Sequence, residues 1–254
     1  MIPSPRFDTG RWYWPLLVGL TLLHLVPLWI VRFLPLVDLP QHLAFVSILR
    51  NYHSPGSGYP DEFRLRLFPA HNALHLYFCY PLSLVLGIEG ANQVFLSLYV
   101  VLMPLALFLL FRALRANRWL VLLGFLFIYN YNLLWGFVSS SMAIPLTLLL
   151  LALELNQLAA VNSFTGLRGV ANWAVMAVLL VLIFLGHALF FLFAVVLFVV
   201  VLLFQSGWHL RTWVRLLALA PGLVLFGAWW QQQRPGAGLG RDLLMSLSPG
   251  ECWA

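Results

Sequence analysis

Long, uninterrupted apolar runs recur along the whole 254-residue chain, and they leave few folds open. Trp12 to Phe33, Ala91 to Phe111 and Trp173 to Phe204 are three of them. In hydrocarbon every backbone N–H and C=O must be satisfied inside the protein, which a helix achieves by itself. About 20 such residues cross a ~30 Å apolar core. The runs are continuous rather than alternating, so no β-barrel pattern appears. Only 9% of the residues are charged and the mean hydropathy is +0.92, whereas soluble domains carry roughly 25% charge. The chain reads as an all-α, polytopic helical membrane protein.

Arginine placement sets the expected topology, because short cytoplasmic segments accumulate positive charge. Seven spans are expected: Trp12–Phe33, Ala91–Phe111, Trp119–Val138, Ser139–Leu155, two within Trp173–Phe204 hinged near Gly186-His187, and Arg215–Trp230. The run Ala73–Ile88 is expected to lie in the interface. With the amino terminus cytoplasmic, eight of the fourteen arginines then fall inside: Arg6, Arg11, Arg112, Arg115, Arg118, Arg168, Arg211 and Arg215. Making Ala73–Ile88 a span would turn the Arg112–Arg118 cluster outward. Residues 1–254 form a single transmembrane domain on this reading. Residues 35–90 form the first extracytoplasmic loop, with amphipathic helices. Residues 231–254 read as an outer loop cut before its next helix.

The net charge of +6 comes from arginine alone, since the chain has no lysine. Arginine suits phosphate, but an arginine-only set also follows from a GC-rich genome. The arginines are scattered singly rather than in a basic stripe, so nucleic acid is not an expected partner. Two cysteines, Cys79 and Cys252, make neither a disulfide framework nor a zinc cluster.

Ionisable chemistry concentrates between Pro35 and Gly90, which holds four of the seven histidines and four of the eight acids. Asp38-Leu-Pro-Gln-His42 opens this loop. Pro40 suits a first helical turn, and Asp38 can cap it through backbone N–H bonds. Asp38 and His42, four residues apart, share a helix face. One reading makes them a cap and a surface residue; the other makes them a base or metal ligand and its partner. An amphipathic helix continues to about Asn51. Asp61-Glu62-Phe-Arg64-Leu-Arg66 is either a solvated face with local ion pairs or a place where Arg64 or Arg66 holds a phosphate. His71-Asn72 and His75 either line a site or sit in headgroup water.

His24 and His187 are the histidines within expected spans, where an ionisable residue is by default a functional candidate. Hydrogen-bonded packing is the equal alternative. Asn130, Asn132 and Trp135, beside Ser139-Ser140-Ser141, either floor a cavity or mark a turn. Glu154 is expected at a solvated cytoplasmic end.

Taken together, Asp38, Pro40, Gln41 and His42, the run Phe68-Pro69-Ala-His-Asn72, the run Tyr129-Asn130-Tyr-Asn132…Trp135-Gly136-Phe137, and Leu185-Gly186-His187 make the chain resemble a known superfamily. It is similar to bacterial members of the GT-C superfamily, polytopic glycosyltransferases that use polyprenyl-phosphate-linked sugars. It looks most like proteobacterial membrane proteins whose first outer loop carries an Asp-x-Pro-Asn/Gln-His signature. The resemblance implies a multi-pass protein of the bacterial inner membrane with a cytoplasmic amino terminus and a periplasmic first loop. It implies sugar transfer from a polyprenyl-phosphate donor to an unidentified acceptor, with membrane lipids as surroundings. Asp38 would activate the acceptor or help hold a divalent ion, Mg or Mn, with His42 beside it. Asp61 or Glu62 would supply a second acid. Arg64, Arg66, His71, His75 and His187 would contact substrate. No other cofactor is implied.

Three rival classes stand beside this. A transporter usually carries acids near the membrane midplane, and none lies in the middle of an expected span. An intramembrane serine protease is prompted by Ser139–Ser141 and His187, but no Gly-x-Ser-Gly is present. A non-catalytic scaffold or an inactive GT-C relative would bind neither polyprenyl phosphate nor metal.

Overall fold

The computed structural model describes residues 10–63, 65, 67–159, 167–206 and 215–233. Helices run over α1 (Tyr13–Ile30), α2 (Leu39–Asn51), α3 (Tyr59–Glu62), α4 (Leu74–Ala113), α5 (Tyr131–Leu134), α6 (Val138–Ala159), α7 (Leu167–Gly186), α8 (Ala188–Ser206) and α9 (Ala220–Gln232). A 3₁₀ helix covers Arg118–Phe127 and a short 3₁₀ turn covers Leu217–Leu219. No strand occurs among the described residues. Among the described residues three helices, α1, α4 and α6, are long and apolar enough to cross a membrane, and Val170–Gly186 and Ala188–Phe204 are shorter apolar helices.

The bundle is built around α6, which packs on α4, α7 and α8. Its most apolar stretch is 67% buried, against 11% for α1, which lies at the periphery. Tyr13 anchors α1 by packing on Phe108 of α4 and Trp119 of the 3₁₀ helix. Phe184, Phe191, Phe226 and Trp229 tie α7, α8 and α9 together. Outward, α1 and α8 present Leu22, Leu23, Trp29, Phe193, Val196 and Phe204, all largely exposed. An apolar surface this extensive on long apolar helices is a lipid surface. The protein is a helical membrane protein.

α4 is two arms, not one rod. Gly87 has φ 75° and ψ 170°, which interrupts the helix. His75 and Asn92, seventeen residues apart, are nonetheless 3.0 Å from one another at their side-chain tips. In a straight helix the two would stand ~25 Å apart along the axis. The first arm therefore folds against the second, and Phe78 on Phe95 repeats the contact three residues on. The Arg50 guanidinium of α2 donates to the Ser83 carbonyl, just before the bend, at 2.9 Å. The expected division between Ala73–Ile88 and Ala91–Phe111 falls at this bend.

Other expected boundaries meet the structure unevenly. α2 ends at Asn51, and the Trp173–Phe204 run is broken at His187, between α7 and α8. The stretch Trp119–Val138, expected as one span, is a 3₁₀ helix, a turn and the four-residue α5. Asn130 causes the break: its Oδ1 accepts the Leu133 N–H at 3.1 Å and starts a new helix. Gly136, at φ 83°, then ends that helix.

Candidate functional site

Asp38 stands at the N-cap of α2, but its side chain makes no capping bond. The capping bond that the sequence allowed is absent, and the carboxylate is not spent on the backbone. What holds the segment is main chain. Asp38 N–H donates to Trp135 C=O at 2.9 Å and Val37 N–H to Leu134 C=O at 3.2 Å. Gly136 lies so close that a Cβ there would stand 2.5 Å from the Asp38 nitrogen. Glycine is required here twice over, for its positive φ and for this approach.

One turn into α2, His42 is buried beneath Asp38. Burial holds its imidazole below the ordinary value near 6.5, while the Asp38 charge pulls the other way. His42 packs edge-on against His75, with 5.5 Å between ring centroids. His75 is 1% exposed, so it lines a core contact and not headgroup water. Its Nε2 donates to Asn92 Oδ1 at 3.0 Å, and its Nδ1 is buried with no hydrogen-bond partner.

Ser139, at the start of α6, joins this cluster to the end of the loop. Its Oγ accepts the His75 backbone N–H at 3.1 Å and donates to the Asn72 carbonyl at 3.3 Å. This bridge satisfies an orphan donor at the start of α4. Next to it, Ala73 N–H donates to Leu185 C=O at 2.9 Å, which pins the loop to the end of α7. Gly186 makes room: a Cβ there would lie 3.0 Å from the Ser139 carbonyl oxygen.

His71 forms a second group with His187, at 5.8 Å between centroids, and with Trp229 of α9, at 4.6 Å. Burial and then the His187 ring lower the His71 pKa below its ordinary value. His187 Nδ1 accepts the Leu189 N–H at 3.2 Å, which leaves Nε2 as its donor.

The structure thus gathers Asp38, His42 and His75, with His71 and His187 linked to them through Asn72, Ala73 and Ser139. Asp61 and Glu62 sit on α3, exposed. Among the described residues, no hydrogen bond or ring contact joins their side chains to the histidines. Arg64 and Arg66 lie outside the described residues. Asn92 and Trp229 were not singled out in the sequence. A polar residue inside the expected Ala91–Phe111 span was the available signal for Asn92, whereas Trp229 carried none.

Several other side chains make structural hydrogen bonds and ring contacts. His24 bonds Leu20 C=O through Nδ1, stacks on Tyr129 and accepts the Tyr129 hydroxyl at its carbonyl. Asn132 donates to Ser140 and Ser141 at 2.9 and 3.0 Å, and Asn130 to Tyr99 at 3.1 Å, so this belt is a braced turn. Glu154 corrects an expectation. It is 1% exposed, not solvated, and neither carboxylate oxygen has a hydrogen-bond partner.

No group of three or more His, Cys, Asp or Glu side chains able to hold a metal ion occurs among the described residues. Mg and Mn favour several oxygen ligands, and among the described residues Asp38 is the carboxylate that acts on His42. This donor set does not fit a protein-held Mg or Mn ion. Comparison with known proteins places the chain in no group: no family model, curated protein or solved structure matches it. The fold and site define a helical membrane protein with an acid–histidine cluster where several helix ends meet.

Proposed function

We propose that this is a GT-C-type glycosyltransferase-like protein, transferring a sugar from a polyprenyl-phosphate donor at the outer face of a bacterial inner membrane. The observation that carries the reading is convergence. The four short segments on which the resemblance rests are far apart in sequence, yet main-chain bonds and Ser139 tie them together around Asp38, His42, His71 and His187. The finer topology belongs to the same proposal: seven crossings, a cytoplasmic amino terminus and the 35–90 loop outside.

In this mechanism the acceptor hydroxyl attacks the anomeric carbon and the bond from that carbon to the phosphate oxygen breaks. The hydroxyl proton passes to the Asp38 carboxylate, and the polyprenyl phosphate departs with the bond's electron pair. Asp38 is half-buried, uncommitted as a cap, and at a helix amino terminus, where a carboxylate is favoured. His42, kept neutral by burial, provides a hydrogen-bonding ring beside it. Arg64 or Arg66 neutralises the leaving phosphate. Transfer by purified protein in lipid is the test. Asp38→Asn is expected to abolish transfer with unchanged accumulation in the membrane, and full activity in that variant would remove the mechanism.

A transporter is the second reading, and Glu154 favours it. A buried acid in an apolar helix marks an ion or proton path by default, although this one lies near the Asn156 end of its span. Solute flux into proteoliposomes that is lost in Glu154→Gln would support transport over transfer.

A further inference from the structure

His75 has every polar position accounted for except one. Its backbone N–H goes to Ser139 Oγ and its Nε2 to Asn92 Oδ1. Nδ1 alone is left, buried and without a hydrogen-bond partner. An amide oxygen only accepts, so Nε2 carries the ring proton and Nδ1 is a bare lone pair. His75 and Asn92 are 1% and 3% exposed, which keeps bulk water from replacing their bond. Flipping the tautomer would break that bond inside the core unless the Asn92 amide turned over with it. Two rings flank His75: Phe95 at 5.0 Å and His42 at 5.5 Å. Of the two, only His42 has an N–H to offer.

We infer that Asn92 is a positioning residue. By holding His75 as the Nε2–H tautomer, it leaves an acceptor for a ring N–H of His42, and so fixes the tautomer and orientation of His42 beside Asp38. A neutral imidazole has one N–H and one lone pair. Once its N–H is drawn to His75, His42 presents its other nitrogen as an acceptor. An orienting partner behind a functional histidine is a recurrent device, because it determines which nitrogen faces the chemistry. Here that partner is itself a histidine, locked by an amide across the Gly87 bend. The consequence for sugar transfer rests on the reading above. The tautomer pattern does not.

The experiment is solid-state ¹⁵N NMR of histidine-labelled protein in lipid vesicles at neutral pH, with His42→Gln and His75→Gln used to assign the two rings. His75 in the unsubstituted protein is expected to show protonated Nε2 and bare Nδ1. Asn92→Leu, which removes the acceptor, should lose that single-tautomer pattern and shift the His42 signals. Asn92→Asp, which retains an acceptor oxygen, should keep Nε2 protonated. A His75 with Nδ1–H and bare Nε2 would overturn the inference, and this needs only the unsubstituted protein. So would His42 signals that stay the same in Asn92→Leu and His75→Gln. The expected pattern in a protein without transferase activity would sink the transferase reading and leave the Asn92 assignment standing.

Discussion

Nε2 of His75 and Oδ1 of Asn92 lie 3.0 Å apart although seventeen residues of one apolar helical stretch separate them. The bond exists because Gly87, at φ 75° and ψ 170°, turns the chain back between them. It places a hydrogen-bonded polar pair where the first loop, α2 and α6 meet.

Gly87→Ala tests that bend. A Cβ would meet nothing within 4 Å, so the penalty is purely one of backbone. This region of φ and ψ is accessible essentially to glycine alone, and a side chain there costs about 1–3 kcal/mol. Unfolding in detergent should show a lower melting temperature than for Gly19→Ala, whose Cβ also meets open space but whose φ is ordinary for a helix. Equal melting temperatures would contradict the bend.

Gly136→Ala should be costlier. The added Cβ would stand 2.5 Å from the Asp38 nitrogen and 2.7 Å from the Leu39 nitrogen, both main-chain atoms that cannot swing away. The expected result is a larger fall in melting temperature than for Gly87→Ala, together with loss of whatever activity depends on Asp38. A variant as stable as the parent would show that the 129–137 stretch does not hold the Asp38 segment.

Ser139→Ala removes one acceptor and one donor at a fully buried position. The His75 N–H and the Asn72 carbonyl lose their partner, which costs about 1–3 kcal/mol for a buried group left unsatisfied. Ser139→Thr keeps the hydroxyl and should recover part of the loss in the same unfolding measurement. A neutral Ser139→Ala would argue against the bridge.

Much of this arrangement was legible in the sequence where a local signal existed. Asp38-Leu-Pro marked the start of α2, Gly186-His187 marked the break between α7 and α8, and the expected boundary between Ala73–Ile88 and Ala91–Phe111 fell at the bend of α4. The expected Trp119–Val138 stretch is not one α-helix, and apolar composition could not show this, because it describes an α-helix and a 3₁₀ helix equally well. The side chain of Asn130 then caps the separate helix α5. Glu154 was misjudged because its burial comes from the tertiary packing of α6 within the bundle, which no local pattern reports. The His75–Asn92 pair was hidden for the same reason.

Stability should fall on mild acidification. In the folded chain burial lowers the pKa of both His42 and His71, and in the unfolded chain they return toward about 6.5. Below that value the unfolded state binds more protons than the folded one, so stability declines as pH drops. It is fully present above about 6.5 and is lost until the depressed folded values are reached. Melting temperatures between pH 7.5 and 5 should therefore decrease, and the decrease should shrink in His42→Gln/His71→Gln. A flat profile in the parent would contradict the buried, neutral state of the two rings.

The most direct test of the transferase reading is binding of a short-chain polyprenyl phosphate to the detergent-solubilised protein, compared among parent, Asp38→Asn and Arg64→Ala/Arg66→Ala. Saturable binding that survives Asp38→Asn and weakens with the arginine changes is the expected result, a lipid-phosphate site with a separate carboxylate. Absence of binding to the parent protein would contradict it and turn attention to Glu154 and transport.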